Sequence, residues 1–216
     1  SYKLSSQKYK LDQETKLLIN EKWSEILEPI RFMFDVLHQP CPPLGYNTGI
    51  RLEDLKRSAT TSMQSLANLL GIEHQQVMYE SKFCGQIYWG VPSISSGRVG
   101  GFDEKPLIHK KGRVLGQRDL LILETLFWPI TSVFGYTKTT RSEFMQNMKR
   151  IKPLIHKPLE FEKNMFGFLL QAQIDYKEVP GSVRIHNLLE RCWLTLNENG
   201  SYPNTILPLN SKSALN

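Results

Sequence analysis

Residues 51–72 (RLEDLKRSATTSMQSLANLLGI) constrain the fold more than any other stretch of this chain. The segment opens with a short alternation, Ile50-Arg51-Leu52-Glu53-Asp54-Leu55, which suits a brief strand or a turn into a helix. An amphipathic run follows, with Met63, Leu66, Ala67, Leu69 and Leu70 at the spacing of one helix face. Gly71 then ends the helix, because glycine takes up the left-handed backbone that closes one.

The rest of the chain divides at its prolines and glycines. Residues 12–38 read as a helix, with Leu17, Leu18, Trp23, Ile26, Leu27 and Ile30 on its apolar face and a kink at Pro29. Residues 39–49 (QPCPPLGYNTG) read as a rigid loop. Residues 85–117 hold nine glycines or prolines among basic residues, which predicts an extended loop of the kind used as a lid or ligand clamp. A helix is expected from about Asp119, ended or kinked by Pro129. Residues 141–151, 159–176 and 183–196 each suit an amphipathic helix, and residues 197–216, rich in Asn, Ser and Pro, read as a loose tail.

Composition sets the outer bounds. A chain of 216 residues suits one domain, or a domain with an appendage. Its 40% apolar and 22% charged residues are those of a water-soluble globular protein. The 27 basic residues against 21 acidic give a net charge of +6, which favours anionic ligands in general. The basic runs lie mainly at 3–10, 109–118 and 149–157, and solvated faces or loops account for most such runs. Cys41, Cys84 and Cys192 are odd in number and far apart, so neither a disulfide framework nor a zinc site is expected. Reduced, buried thiols suit a cytoplasmic protein. The longest apolar stretch, 120–134, contains Glu124 and Pro129 and is too short to span a bilayer. Asn199-Gly200-Ser201 is one acceptor sequon, a pattern frequent by chance.

Several pieces occur in an order that resembles a known family. Arg51-Leu52-Glu53-Asp54-Leu55 leads to a helix closing on Leu70-Gly71-Ile72. Ser81-Lys82-Phe83-Cys84-Gly85 follows with Trp89-Gly90, then Gly101-Phe102, the basic stretch Lys110-Lys111-Gly112-Arg113, a helix from about Asp119, and Phe134-Gly135-Tyr136. Across residues 23–136 this is similar to the C-terminal part of nucleotide-dependent sulfotransferase domains. The resemblance implies an α/β, P-loop-like three-layer fold, of which this chain supplies a helix-rich part with few strands. It also implies residues 1–136 as the domain portion, 137–196 as a helical extension and 197–216 as a tail.

The implied reaction is transfer of a sulfuryl group from 3′-phosphoadenosine 5′-phosphosulfate to a hydroxyl or amine acceptor. That family cradles the phosphosulfate on a Pro-(Lys/Arg)-Ser-Gly-Thr-Thr loop at a helix N-terminus. No such loop is present here, so the chain is expected to lie downstream of it. Lys56-Arg57-Ser58-Ala59-Thr60-Thr61 is a look-alike with Ala for Gly. It follows carboxylates instead of a buried strand, so the first turn of a helix capped by Ser58 or Thr60 is the expected reading.

Candidate site residues follow from the resemblance. Ser81 and Phe83 correspond to the loop near the adenine. Gly97, Arg98 and Gly100 stand where some members place a basic, glycine-rich loop over the 3′-phosphate, although the full Arg-Lys-Gly-x-x-Gly is not present. The family's catalytic base lies upstream, so no catalytic residue is assigned, and no metal is expected. Adjacent Glu53 and Asp54 on a strand would face opposite ways, which favours structural roles. His74, His109, His156 and His186 read as solitary, and Tyr88 and Trp89 as core or as lining of an acceptor pocket. Two alternatives stand beside the transferase. One is a degenerate, non-catalytic relative acting in interactions. The other is a basic helical nucleic-acid-binding module, for which no reading motif is present.

Overall fold

The computed structural model describes residues 28–40, 47–80, 82–83, 86–87, 115–165 and 180–209. They divide between two units. The first is drawn from Ser1–Pro43 and Lys110–Thr205, the second from Leu44–His109 and Ile206–Asn216.

The first unit is helical. It contains α1 (28–38), α4 (Gln117–Leu126), α5 (Trp128–Val133), α6 (Arg141–Ile151), α7 (Glu160–Met165) and α8 (Pro180–Asn199). Phe34, Ile122, Leu126, Phe144, Ile151, Ile155, Phe161 and Leu189 are almost wholly buried and form its core. Phe34 stacks on Phe127 at 4.2 Å, and Trp128 stacks on Phe144 at 4.4 Å. Each described indole N–H has an acceptor: Trp128 donates to the Thr139 carbonyl (2.8 Å) and Trp193 to that of Met148 (2.9 Å). A buried indole without such a partner would cost about 1–3 kcal/mol.

Local chemistry explains the helix ends. Pro129 falls in the first turn of α5, where its missing N–H is harmless, so it begins a second helix after Phe127 instead of kinking the first. Thr140 and Glu143 form a reciprocal capping box. The Thr140 hydroxyl accepts the Glu143 N–H (3.3 Å), and the Glu143 carboxylate accepts that of Thr140 (2.7 Å). Pro180 stands at the first position of α8, where a proline costs no helix hydrogen bond.

Within the stretch read as a tail, Tyr202 and Asn204 are buried in the first unit. The Tyr202 hydroxyl donates to the Leu126 carbonyl (3.0 Å). The Asn204 amide donates to that of Val36 (2.8 Å) and its N–H to that of Leu37 (3.1 Å). Polar composition hid this, because tail and core lining look alike when each polar group is satisfied inside.

The second unit holds β1 (Asn47–Gly49), α2 (Leu52–Arg57), α3 (Ala59–Leu70), a 3₁₀ turn (Gln76–Tyr79), β2 (Lys82–Phe83), β3 (Gln86–Ile87) and β4 (Ile206–Pro208). β1 pairs in parallel with β4, Asn47 opposite Ile206, and β2 pairs antiparallel with β3. The stretch 51–55 is helix and not strand, since α2 starts at Leu52. The face of α3 that is buried is Ser62, Met63 and Ala67, whereas Leu69 and Leu70 are exposed.

Two helices end in the same way. The Ile72 N–H reaches the Ala67 carbonyl (3.0 Å) and the Gly71 N–H that of Asn68 (3.2 Å). The Tyr136 N–H likewise reaches Thr131 (2.8 Å) and the Gly135 N–H Ser132 (3.1 Å). Both are Schellman closures, with Gly71 at φ 64° and Gly135 at φ 72° in the left-handed region.

Candidate functional site

Of the residues assigned to the cofactor by resemblance, Phe83 lies on β2, while Ser81, Gly97, Arg98 and Gly100 fall outside the described residues. So do Tyr88, Trp89 and His109.

The acidic pair and the phosphate-loop look-alike are both described. Arg51 holds Asp54 through two hydrogen bonds of 2.7 Å, Nε to Oδ2 and Nη2 to Oδ1, which fixes the first turn of α2. Asp54 is thereby a structural carboxylate. Lys56 and Arg57 end α2, Ser58 stands at the joint, and Ala59 begins α3. The stretch is a helix–helix joint, with a helix and not a strand directly ahead of it. Ser58 occupies the cap position without a side-chain capping bond.

A second constellation escaped the sequence reading and lies wholly in the first unit. Asp119, fully buried in the first turn of α4, accepts the backbone N–H groups of Glu160 (2.8 Å) and Phe161 (2.9 Å) at the start of α7. Glu160 returns the contact, its carboxylate accepting the Arg118 N–H (3.2 Å). Two helix N-termini therefore cap each other, each carboxylate lying at the positive end of the other helix. A Cβ at Gly116 would collide with the Glu160 side chain, so glycine is required there by the close approach. Arg118 donates through Nη2 to the Pro158 carbonyl, and its buried Nε has no hydrogen-bond partner.

One turn further on, Glu162 gathers three donors: the Leu159 N–H, the Ser182 hydroxyl and His186 Nε2 (3.1 Å). His186 Nδ1 lies 2.6 Å from the Ile155 carbonyl. Burial alone would push the imidazole down. The Glu162 bond, the Ile155 carbonyl and the Glu162 charge outweigh that, and its pKa is raised. Both ring nitrogens face acceptors, the arrangement that suits imidazolium. His186 is therefore not solitary.

Serine, glutamate and histidine together invite comparison with a nucleophile–base set, but the bonding is wrong for one. Ser182 donates to Glu162 instead of His186, and the imidazole has no free lone pair aimed at the hydroxyl. Glu162 is 4% exposed, so no substrate reaches it. The arrangement is a polar clasp joining the 151–159 turn, α7 and α8. The signal for it in the sequence was Pro158-Leu159-Glu160-Phe161-Glu162, acids crowded at a helix start.

Cys192 is buried, and burial pushes its thiol up to about 12, which makes it unreactive. Among the described residues, no group of three His, Cys, Asp or Glu side chains is placed to hold a metal, and no helix is long and apolar enough to cross a membrane. Comparison of the chain with protein-family models, with curated proteins and with solved structures gives no match.

Proposed function

We propose that this chain is the scaffold portion of a sulfotransferase-like domain, serving transfer of a sulfuryl group from 3′-phosphoadenosine 5′-phosphosulfate to a hydroxyl or amine. The supporting observation is that the two landmarks of the resemblance, Leu70-Gly71-Ile72 and Phe134-Gly135-Tyr136, are built alike. Each is a helix closed by a left-handed glycine. Such landmarks persist for backbone reasons and mark scaffold, not reacting groups. The chemistry in this reading is in-line transfer, driven by positioning and by cations on the non-bridging oxygens. Ser81 and Phe83 would serve the adenine, and Gly97, Arg98 and Gly100 the 3′-phosphate.

The test is transfer of ³⁵S from labelled phosphosulfate to a panel of hydroxyl and amine acceptors. It is run with these 216 residues and with any longer product of the same gene. Transfer is expected only from a product carrying a phosphosulfate loop. A product with that loop and no transfer to any acceptor would overturn the reading.

One observation favours a second reading, a non-catalytic relative acting in interactions: in the Ser182–Glu162–His186 cluster the hydroxyl is bonded to the buried carboxylate and not to the imidazole. Thermal shift with adenosine 3′,5′-bisphosphate separates the two, because a ligand at 100 times its Kd raises stability by about 2.7 kcal/mol. Stabilisation of this chain specific to the bisphosphate over adenosine 5′-monophosphate excludes the non-binding relative.

A further inference from the structure

Ser182 and His186, in the first two turns of α8, both bond to Glu162 of α7, a buried carboxylate that also accepts the Leu159 N–H. The far half of α8 is anchored separately, by buried Leu189, Cys192 and Leu196 and by the Trp193 indole on the Met148 carbonyl (2.9 Å). His186 sets Nδ1 2.6 Å from the Ile155 carbonyl and Nε2 3.1 Å from Glu162, so each ring nitrogen meets an acceptor. Only imidazolium carries an N–H on both nitrogens. Loss of the proton turns a lone pair toward one of these acceptors. It also removes the positive charge beside a carboxylate that is out of water, and breaking such a pair is strongly destabilising.

We propose that loss of the His186 proton uncouples the first two turns of α8 from α7 and the 151–159 turn, a pH-operated latch whose far end stays packed. Facing the imidazole, α7 brings Glu162, and α4 brings Arg118, whose charge opposes protonation. Arg118 is itself bonded to the Pro158 carbonyl, with Asp119 4.0 Å from its Nε, and Glu160 is turned to the Arg118 N–H. The 151–159 turn brings the Ile155 carbonyl, while its His156 and Lys157 are exposed. On α8 itself, Arg184 is exposed and Glu190 lies half-buried one turn beyond. Burial would lower the imidazole pKa, but the Glu162 bond, the Ile155 carbonyl and the Glu162 charge raise it, so release comes on the alkaline side of 6.5. Ile185 is buried in the same two turns, and its packing limits the release to a minor open population. The latch is independent of the sulfuryl-transfer reading.

The experiment is amide hydrogen exchange by NMR on the full chain from pH 6 to pH 9, with rates corrected for the intrinsic pH dependence of exchange. Protection of the Arg184–Leu188 amides is expected to fall by about tenfold or more across that range. Protection of Met148, Ile151, Cys192 and Trp193 is expected to stay within about twofold. The midpoint of the fall is expected to coincide with the titration of the His186 ring protons, followed in the same samples. In His186→Gln, protection of Arg184–Leu188 is expected to be low at both ends of the range and nearly flat between them, whereas His156→Gln keeps the fall. Circular dichroism checks that both variants fold; if His186→Gln does not, the two midpoints in the native chain decide alone. Unchanged protection at Arg184–Leu188, an equal fall at the reference amides, a midpoint apart from that of the His186 ring, or the same fall in His186→Gln overturns the proposal.

Discussion

The Asp119 carboxylate accepts the backbone N–H of Glu160 at 2.8 Å, and the Glu160 carboxylate accepts that of Arg118 at 3.2 Å. Helix N-termini leave their first N–H groups without intrahelical partners, so buried ends must find acceptors elsewhere. Here two ends separated by forty residues of sequence supply one another. Asp119→Ala strands two buried donors and is expected to cost about 2–4 kcal/mol in urea unfolding. A loss under about 1 kcal/mol would mean that water replaces the carboxylate.

Gly116 is where the two helix starts come closest. Gly116→Ala forces its methyl against the Glu160 side chain and is expected to destabilise by about 1–3 kcal/mol. In Gly116→Ala/Glu160→Ala the clashes with the Glu160 carboxylate disappear and only the contact with its Cβ remains, so the two substitutions are expected to be less than additive. Strict additivity would place the cost of the methyl elsewhere.

His186 gives a pH dependence of definite sign. Its folded pKa is raised above the ordinary value of 6.5. A raised folded pKa means that the native state binds the proton more tightly, so this contribution is complete below the unfolded value and is lost as pH rises through the folded one. Unfolding free energy measured from pH 6 to pH 9 is expected to fall more steeply in the native chain than in His186→Gln. Parallel curves would show that the clasp does not titrate in this range.

Cys192 is expected to be chemically silent. A thiol pushed up to about 12 has roughly three orders of magnitude less thiolate at pH 8 than an ordinary one. In a Cys41→Ser/Cys84→Ser background, iodoacetamide is expected to label Cys192 only in denaturant. Fast labelling of the folded chain would show that α8 opens.

Gly71→Ala tests whether the Leu-Gly-Ile landmark is a backbone device. Nothing lies within 4 Å of a Cβ built there, so the cost is conformational alone, about 1–2 kcal/mol for a left-handed alanine. A shift of that size in unfolding, with no change in any ligand response, is expected. A neutral substitution would show that α3 frays before its end.

The sequence by itself determined the elements whose instructions are local. The span Arg141–Ile151 was legible because Thr140 and Glu143 stand three apart ahead of an apolar period. Gly71 was legible because few other residues close a helix in the left-handed region, whereas the matching role of Gly135 was not read. The resemblance, too, rested on such local landmarks. Only the tertiary structure decided the rest. Glu53 and Asp54 sat in an alternation that fits strand and helix equally, and the Arg51–Asp54 bond accompanies the helical outcome. Tyr202 and Asn204 looked like tail, His186 looked solitary, and Asp119 looked like an ordinary first-turn acid. Each owes its role to a partner between 24 and 168 residues away in sequence. Side-chain periodicity reports which face of an element is apolar, whereas a buried polar group is defined by the donor or acceptor opposite it. That partner is chosen by packing alone.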